Sequence, residues 1–287
     1  MLVQPAAPDL RVADESLDCE VVVTRGGARA MRDRLTGEVM HPIVGPRAEA
    51  ESLYVDASRL RDRLLTFEPK PLCLFDVGLG AGSNAIAAWQ LSEALDDSAR
   101  QLEIVSFDQS LAALVCALEP AHREAFGLDG PAGEAARSLV GEGRHSTRRT
   151  HWRLQLGALP ETLLREPAGV ADIVFWDPFS PSANPKLWSY YAFRTLYERS
   201  GPHVSLHTYS GATAIRSALL LAGFAVGEGE PTPSGKRTTR AARDVKELIR
   251  PLDRRWLARL SRSSAGLPSD APANAIESIR MAPQFAE

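Results

Sequence analysis

Leu72-Cys-Leu-Phe-Asp-Val-Gly-Leu-Gly-Ala-Gly-Ser-Asn84 decides how the rest of the chain is read. Leu72 to Phe75 is a short apolar run with Pro69 and Pro71 upstream, which is the mark of a buried strand. Gly78, Gly80 and Gly82 follow at alternate positions, and Ala85-Ile-Ala-Ala-Trp-Gln-Leu91 then turns Ile86, Trp89 and Leu91 toward a core from a helix. Strand, glycine turn and helix form the first unit of a nucleotide-type α/β sheet, which binds ligands beyond the carboxyl ends of its strands. Glycine allows the sharp turn and lets a ligand lie against bare backbone.

The ligand is argued from the acids around the loop. A dinucleotide site needs Gly-x-Gly-x-x-Gly and an acidic residue about 20 positions further on. Ser83 takes the place of the third glycine here, and the next acid to end a strand, Asp108, lies well beyond that distance. Asp76 stands just before the loop, where a carboxylate suits a cationic amino group and opposes a pyrophosphate. Acid-x-Gly-x-Gly-x-Gly is the pattern of S-adenosylmethionine (SAM) sites. Asp76 then reads as partner of the methionine ammonium, the loop lies against the sugar, and Asp108 accepts from ribose hydroxyls. A tight turn without ligand and a nicotinamide site are the competing readings.

The 287 residues suit one large domain or one domain with an appendage, and 44% hydrophobic content provides a full core. No apolar run reaches the roughly 18 residues a membrane span needs. The start, Met1 to Asp9, lacks a basic segment followed by an apolar one, so the expectation is a cytoplasmic protein without a signal peptide. Cys19, Cys73 and Cys116 are too far apart for a metal motif and are expected as buried free thiols; the histidines show no ligand spacing, so no metal is expected. A net charge of -3 gives no global basic field. Three local clusters exist: Arg144 to Arg153; Lys236-Arg237 with Arg240 and Arg243; and Arg250, Arg254, Arg255, Arg259 and Arg262. Each alone reads as solvated surface, but together they could form a rim for phosphates.

Along the chain, residues 1–17 read as a loose tail and 18–68 as an extension made of a hairpin and a helix. A domain follows over 69–250, and residues 251–287 read as a helix with a poorly ordered tail. The hairpin pairs Glu20–Thr24 with Ala28–Arg32, and Leu53, Ala57, Leu60 and Leu64 predict one helix from Glu49 to Leu65. Further strands are expected at Glu103–Phe107, Trp152–Leu156, Ala171–Trp176 and His203–His207, with closing strands near Phe224–Gly227 and Thr238–Ala242. The fourth central strand runs into Asp177-Pro-Phe-Ser-Pro-Ser-Ala-Asn-Pro-Lys-Leu-Trp188, a loop that three prolines stiffen, as a site holding reactants in one geometry requires.

Four stretches together resemble the MnmC-like methyltransferases, specifically stand-alone tRNA 5-methylaminomethyl-2-thiouridine methyltransferases. They are Gly37-Glu-Val-Met-His41 with Gly45-Pro and Glu49-Ala50; Asp76 to Asn84; Trp176-Asp-Pro-Phe-Ser-Pro with Asn184-Pro and Leu187-Trp188; and Ser217 to Phe224 followed by Gly235-Lys-Arg237. The resemblance implies an α/β, Rossmann-like SAM-dependent methyltransferase with a seven-stranded, mostly parallel sheet and an N-terminal hairpin extension. It implies methylation of the exocyclic amine of 5-aminomethyl(-2-thio)uridine at the tRNA wobble position, with SAM as donor and the anticodon region of tRNA as partner. A separate enzyme would supply the aminomethyl precursor. In two-domain relatives an FAD-dependent oxidase is fused behind the methyltransferase; the resemblance here is to the stand-alone members, so neither the oxidase activity nor FAD is expected. Two departures are Ala158, where relatives place an acid for the adenine amino group, and Arg25-Gly-Gly27 in the hairpin.

On this reading Asp76, Gly78, Gly80, Gly82, Asn84 and Asp108 bind the cofactor, and Asp177 is catalytic, orienting the substrate ammonium and accepting its proton. Phe179 and Trp188 sandwich an extruded uracil, Asn184 bonds a base edge, and Lys236 and Arg237 take tRNA phosphates. His41 and Glu49 are further candidates for the cofactor pocket, and Tyr209 for the substrate. The rivals are an N-methyltransferase acting on another small amine or nucleic acid, and a non-catalytic tRNA-binding protein of the same fold.

Overall fold

The computed structural model describes residues 18–24, 26–40, 45–232, 234–263 and 265–286. The N-terminal tail, Arg25 and His41 therefore lie outside the described residues. Strands β1 (Cys19–Val23) and β2 (Arg29–Asp33) form the expected hairpin. Asp33 closes the next turn by accepting from Thr36 N at 2.7 Å, with Gly37 at φ 72°.

The single helix predicted from Glu49 to Leu65 is instead three pieces: α1 (Pro46–Glu49), a π-wound stretch Ala50–Asp56, and α2 (Leu60–Leu64) after Arg59 at φ 55°. The wider winding turns the consecutive residues Leu53, Tyr54 and Val55 inward, which a 3.6-residue repeat cannot do. This deviation carries Tyr54 into the site described below.

The central sheet comprises β3 (Leu72–Val77), β4 (Leu102–Asp108), β5 (Arg144–Ser146), β6 (Thr150–Leu156), β7 (Ala171–Trp176), β8 (Ser200–Thr208), β9 (Ala225–Pro231) and β10 (Arg237–Ala242). Their order is β5-β6-β4-β3-β7-β8-β10-β9. The five strands from β6 to β8 are parallel, while β5, β10 and β9 pair antiparallel at the two edges. The eighth strand, against the seven expected, is the three-residue β5, too short and too polar to show a strand pattern.

Helices α3 (Ser83–Glu93), α4 (Ala112–Ala117) and α5 (Pro131–Glu142) cover one face; α6 (Tyr190–Arg199) and α7 (Thr213–Ala222) cover the other. Gly223, at φ 110°, stops α7 as its C′ residue. β3 leads to β4 and β6 on one side, and the chain then returns to β7 and β8 on the other. The order therefore reverses between β3 and β7, and an open α/β sheet forms its ligand crevice at such a reversal.

The tail expected to be loose packs instead. α8 (Arg254–Leu260) and α9 (Ala275–Arg280) bury Trp256, Leu260 and Ile279, and Phe285 stacks on Trp256 with ring centroids 6.2 Å apart. Gln284 ties this segment to β9 by accepting from Val226 N at 2.7 Å. Burying Ile279 and Phe285 contributes about 1.5–3 kcal/mol each, enough to hold a segment whose Pro, Ser and Ala content suggested disorder. Among the described residues no helix is long and apolar enough to cross a membrane.

Candidate active site

β3 and β7 are in register at Val77 and Trp176, so the glycine loop and the Asp177 loop leave the sheet side by side. Their contact allows nothing larger than hydrogen at Gly78. Its φ is 90°, and a Cβ would lie 2.7 Å from the Asp177 carbonyl oxygen and 2.8 Å from Pro178 Cα. Gly80 N donates to Asp108 Oδ2 at 2.9 Å, while Gln109 N donates to Oδ1 at 2.7 Å. Asp108 thus braces the loop from the end of the next strand. Burial pushes its carboxyl up in pKa, against the backbone N–H groups that pull it down.

Above these loops lies a cavity of about 1030 Å³. Gly78, Gly80, Asn84, Asp108 and Asp177 line one end, and Lys236, Arg237, Arg216 and Arg259 line another part of its wall. Tyr54 Oη donates to Asp177 Oδ1 at 2.6 Å and Asn84 Nδ2 donates to Oδ2 at 2.7 Å. Both oxygens are engaged, so the carboxylate plane is fixed. Burial, with the adjoining Asp177 charge, raises the Tyr54 phenol well above its ordinary pKa, which keeps it a neutral donor. Asn84, assigned to the cofactor from sequence, holds Asp177 with its amide nitrogen; its Oδ1 is buried without a partner among the described residues.

Asp76 is 1% exposed and sits beneath the loop, outside the residues that line the cavity. Ser106 Oγ donates to its Oδ2 at 2.7 Å and is itself held by Trp152 Nε1 at 2.9 Å. Oδ1 is buried and has no hydrogen-bond partner among the described residues. Burial, reinforced by Asp177 and Asp108, pushes Asp76 up to about 7. Three carboxylates converging on a bare-backbone loop, one with an unsatisfied buried oxygen, suit a cationic ligand such as SAM and disfavour a phosphate. Gly82 does not line the cavity; at φ 85° it opens α3, where a Cβ would come within 3.0 Å of Ile86 and 3.2 Å of Leu114.

The Asp177 loop is anchored twice. Ser180 donates from N and from Oγ to the Glu38 carboxylate, at 3.0 and 3.1 Å, bridging to the N-terminal extension. Trp188 Nε1 donates to the Phe179 carbonyl oxygen at 2.7 Å. Phe179 and Asn184 line the cavity as expected of substrate contacts, whereas Trp188 does not. It is 4% exposed and packs edge-on against Phe193 and Tyr209, so it supports the loop instead of forming the second wall of a base sandwich. Tyr209, whose Oη donates to Pro178 O at 3.2 Å, is the aromatic that faces the cavity on that side, and Glu49 lines it as well.

Of the basic clusters, the first is structural. Arg149 is buried and donates to the carbonyls of Ala99 and Arg100, while Arg153 is paired with Glu166 at 2.6 Å. Lys236 and Arg237 line the cavity together with Arg259 of the third cluster. Tyr54 and Glu38 were not singled out as site residues from the sequence. Tyr54 is off the predicted apolar face, and Glu38 stood only within a motif. Among the described residues no cluster of three or more His, Cys, Asp or Glu side chains could hold a metal ion.

Residues 138–244, from α5 through β10, match the model of a family described as S-adenosyl-L-methionine-dependent methyltransferase. The tRNA 5-methylaminomethyl-2-thiouridine biosynthesis bifunctional protein MnmC of Pseudomonas aeruginosa is 30% identical over 190 residues, 62% of this chain and 28% of that protein. Its namesake from Methylibium petroleiphilum is 28% identical over 225 residues, 72% of this chain and 32% of that one. The chain is a relative of MnmC with the fold of a SAM-dependent methyltransferase. It spans about a third of the length of the curated relatives it matches. The crystal structure of MNMC2 from Aquifex aeolicus superimposes on this chain with a TM-score of 0.70 at 23% identity, covering 91% of this chain and 84% of that one. Spermidine synthase in complex with the transition-state analogue AdoDATO shares the fold at a TM-score of 0.52 and 13% identity, over 80% and 72% of the two chains. The family match contains Asp177, Phe179, Asn184, Lys236 and Arg237 but not the glycine loop, whose reading rests on its own geometry.

Proposed function

We propose that this methyltransferase transfers the methyl group of SAM to the exocyclic primary amine of 5-aminomethyl(-2-thio)uridine at the wobble position of tRNA. The observation that carries the proposal is the Asp177 carboxylate, held by Tyr54 and Asn84 where the glycine loop and the β7 loop touch. The likeness to MnmC, named for tRNA 5-methylaminomethyl-2-thiouridine biosynthesis, supports the choice of nucleoside.

The residues fit SAM. Asp76, buried beneath the loop, would favour the ammonium through its charge and not by contact, the backbone at Gly78 and Gly80 would lie against the sugar, and Asp108 would accept from the ribose. When bound, SAM supplies an electrophilic methyl on a sulfonium.

A primary amine is mostly protonated in neutral water and reacts only as the free base. Asp177 binds the ammonium form, orients its nitrogen and takes its proton, directly or through water. Tyr54 and Asn84 keep that carboxylate from rotating, so the geometry is set before substrate arrives. Phe179 and Tyr209 offer aromatic faces to the extruded base, and Asn184 offers a side-chain amide to its edge. Lys236 and Arg237 meet the tRNA phosphates. The transfer is redox-neutral and calls for neither flavin nor metal. Its amine must be made beforehand by an enzyme that installs an aminomethyl group on uridine, and a tRNA substrate implies the cytoplasm. The test is incorporation of label from radiolabelled SAM into tRNA that lacks this methyl; no incorporation into the modified wobble uridine would end the proposal.

A further inference from the structure

Glu228 and Arg259 each line both the main cavity and a second hollow of about 260 Å³, so the two hollows meet at this pair. Arg250, Asp253, Arg255 and Trp256 wall the second hollow. Its floor is fixed to the sheet: Glu228 N donates to Arg250 O at 2.8 Å, and a Cβ at Gly227 would come within 2.6 Å of that oxygen. On α8, Trp256 and Leu260 are buried, whereas Arg255 and Arg259 share an exposed face at the same four-residue spacing.

The carboxylates of the hollow are already engaged. Asp253 caps α8 by accepting from Arg255 N and Trp256 N, and Glu228 pairs with Arg237 at 3.3 Å. Among the described residues, no carboxylate stands within 4.0 Å of the guanidinium nitrogens of Arg250, Arg255 or Arg259. Three arginines without an ion pair among the described residues therefore border one concavity that opens onto the proposed nucleotide site. Guanidinium forks match phosphate oxygens, and a polyanion gains by releasing its counterions to them.

We infer that the hollow between β9 and α8 is a subsite for the phosphodiester oxygens of the RNA strand flanking the modified nucleotide, with Arg250, Arg255 and Arg259 as its ligands. The inference rests on the tRNA reading and adds to it a second set of contacts, made by the C-terminal segment. Each arginine lost from a phosphate contact lowers the salt dependence of RNA binding by a predictable step.

The experiment uses the full chain and tRNA lacking the methyl, with affinity measured across salt concentrations. The double variant Arg250→Gln/Arg255→Gln is compared with Arg250→Lys/Arg255→Lys and with Arg61→Gln/Arg137→Gln, which removes the same charge from exposed positions elsewhere. The glutamine pair in the hollow is expected to reduce the slope of log K against log salt by about 1.4–1.8, equivalent to roughly 25-fold or more at 0.1 M salt. The lysine pair and the distant pair should keep the wild-type slope, and SAM affinity should stay unchanged in all. An unchanged slope in the hollow variant, or an equal loss in the distant pair, overturns the subsite while leaving the tRNA reading intact. Failure of the wild-type protein to bind tRNA overturns both, and SAM affinity then separates a working cofactor site from a misfolded protein.

Discussion

At the glycine-loop end of the cavity the charged groups are carboxylates, Asp108 and Asp177 half-buried in its wall and Asp76 buried beneath, each held by hydrogen bonds from named donors: Ser106 on Asp76, Gly80 and Gln109 on Asp108, Tyr54 and Asn84 on Asp177. At the β9–β10 edge and on α8 cations predominate around Glu228 and Asp253, and Lys236, Arg255 and Arg259 stand exposed. The first arrangement fixes geometry and charge for a small cationic ligand and an amine. The second suits a flexible polyanion, for which long-range attraction matters more than fixed angles. On the proposed function, a nucleotide with an amine at one end and phosphates at the other would be favoured in one polarity, amine toward the carboxylates and phosphates toward the cations.

The largest expected effect breaks the acidic end. Asp177→Asn keeps the shape and removes the charge, and should lower the methyl-transfer rate by roughly 10²–10⁴ while SAM affinity, read by calorimetry, stays within a few-fold. A rate within a few-fold of wild type would remove Asp177 from its role. Tyr54→Phe takes one donor from that carboxylate and should slow transfer by about 10- to 100-fold with little change in the KM for SAM, the range of one hydrogen bond to a charged group. An effect on KM alone would make Tyr54 a packing residue.

Asp76 sharpens the same comparison through pH. Its folded-state pKa of about 7 lies above the ordinary carboxylate value. Between roughly pH 4 and pH 7 the folded protein therefore holds a proton that the unfolded chain has released. That contribution to stability is fully present below the unfolded pKa and is lost as pH rises through about 7. At 1% exposure it amounts to roughly 4 kcal/mol at most. Asp76→Asn should flatten this part of the profile, so denaturation at pH 5 and pH 8 should show wild type losing more than the variant over that interval. Parallel profiles would place the ionisation elsewhere. The smallest effect belongs to the basic rim. Lys236→Glu should weaken tRNA binding and its salt dependence more than Arg237→Glu, because Arg237 already pairs with Glu228. The reverse order would put the phosphates on the other side of Arg237.

The sheet, the hairpin and the two loops at the reversal were legible because each rests on a local signal: apolar runs, glycines that need positive φ, prolines that stiffen. Tyr54 was not, since its inward turn depends on π-winding over Ala50–Asp56, which no 3.6-residue pattern encodes. Trp188 was misplaced for a different reason. An aromatic in a functional loop has the same letter whether it faces a base or the core, and only packing against Phe193 and Tyr209 decides. The tail read as disordered because its stabilising contacts, Phe285 on Trp256 and Gln284 on Val226, join positions far apart in sequence. Asp76 read as the ammonium's partner from its position before the loop. The structure adds that it is buried, with one oxygen unsatisfied.

The central claim, a carboxylate-steered methylation of an amine on tRNA, is tested most directly by incubating the protein with radiolabelled SAM and tRNA lacking the methyl, then digesting the RNA and identifying the labelled nucleoside. Label in 5-methylaminomethyl(-2-thio)uridine, abolished by Asp177→Asn, is the predicted result. Label in any other nucleoside, or label that survives that substitution, would contradict the account.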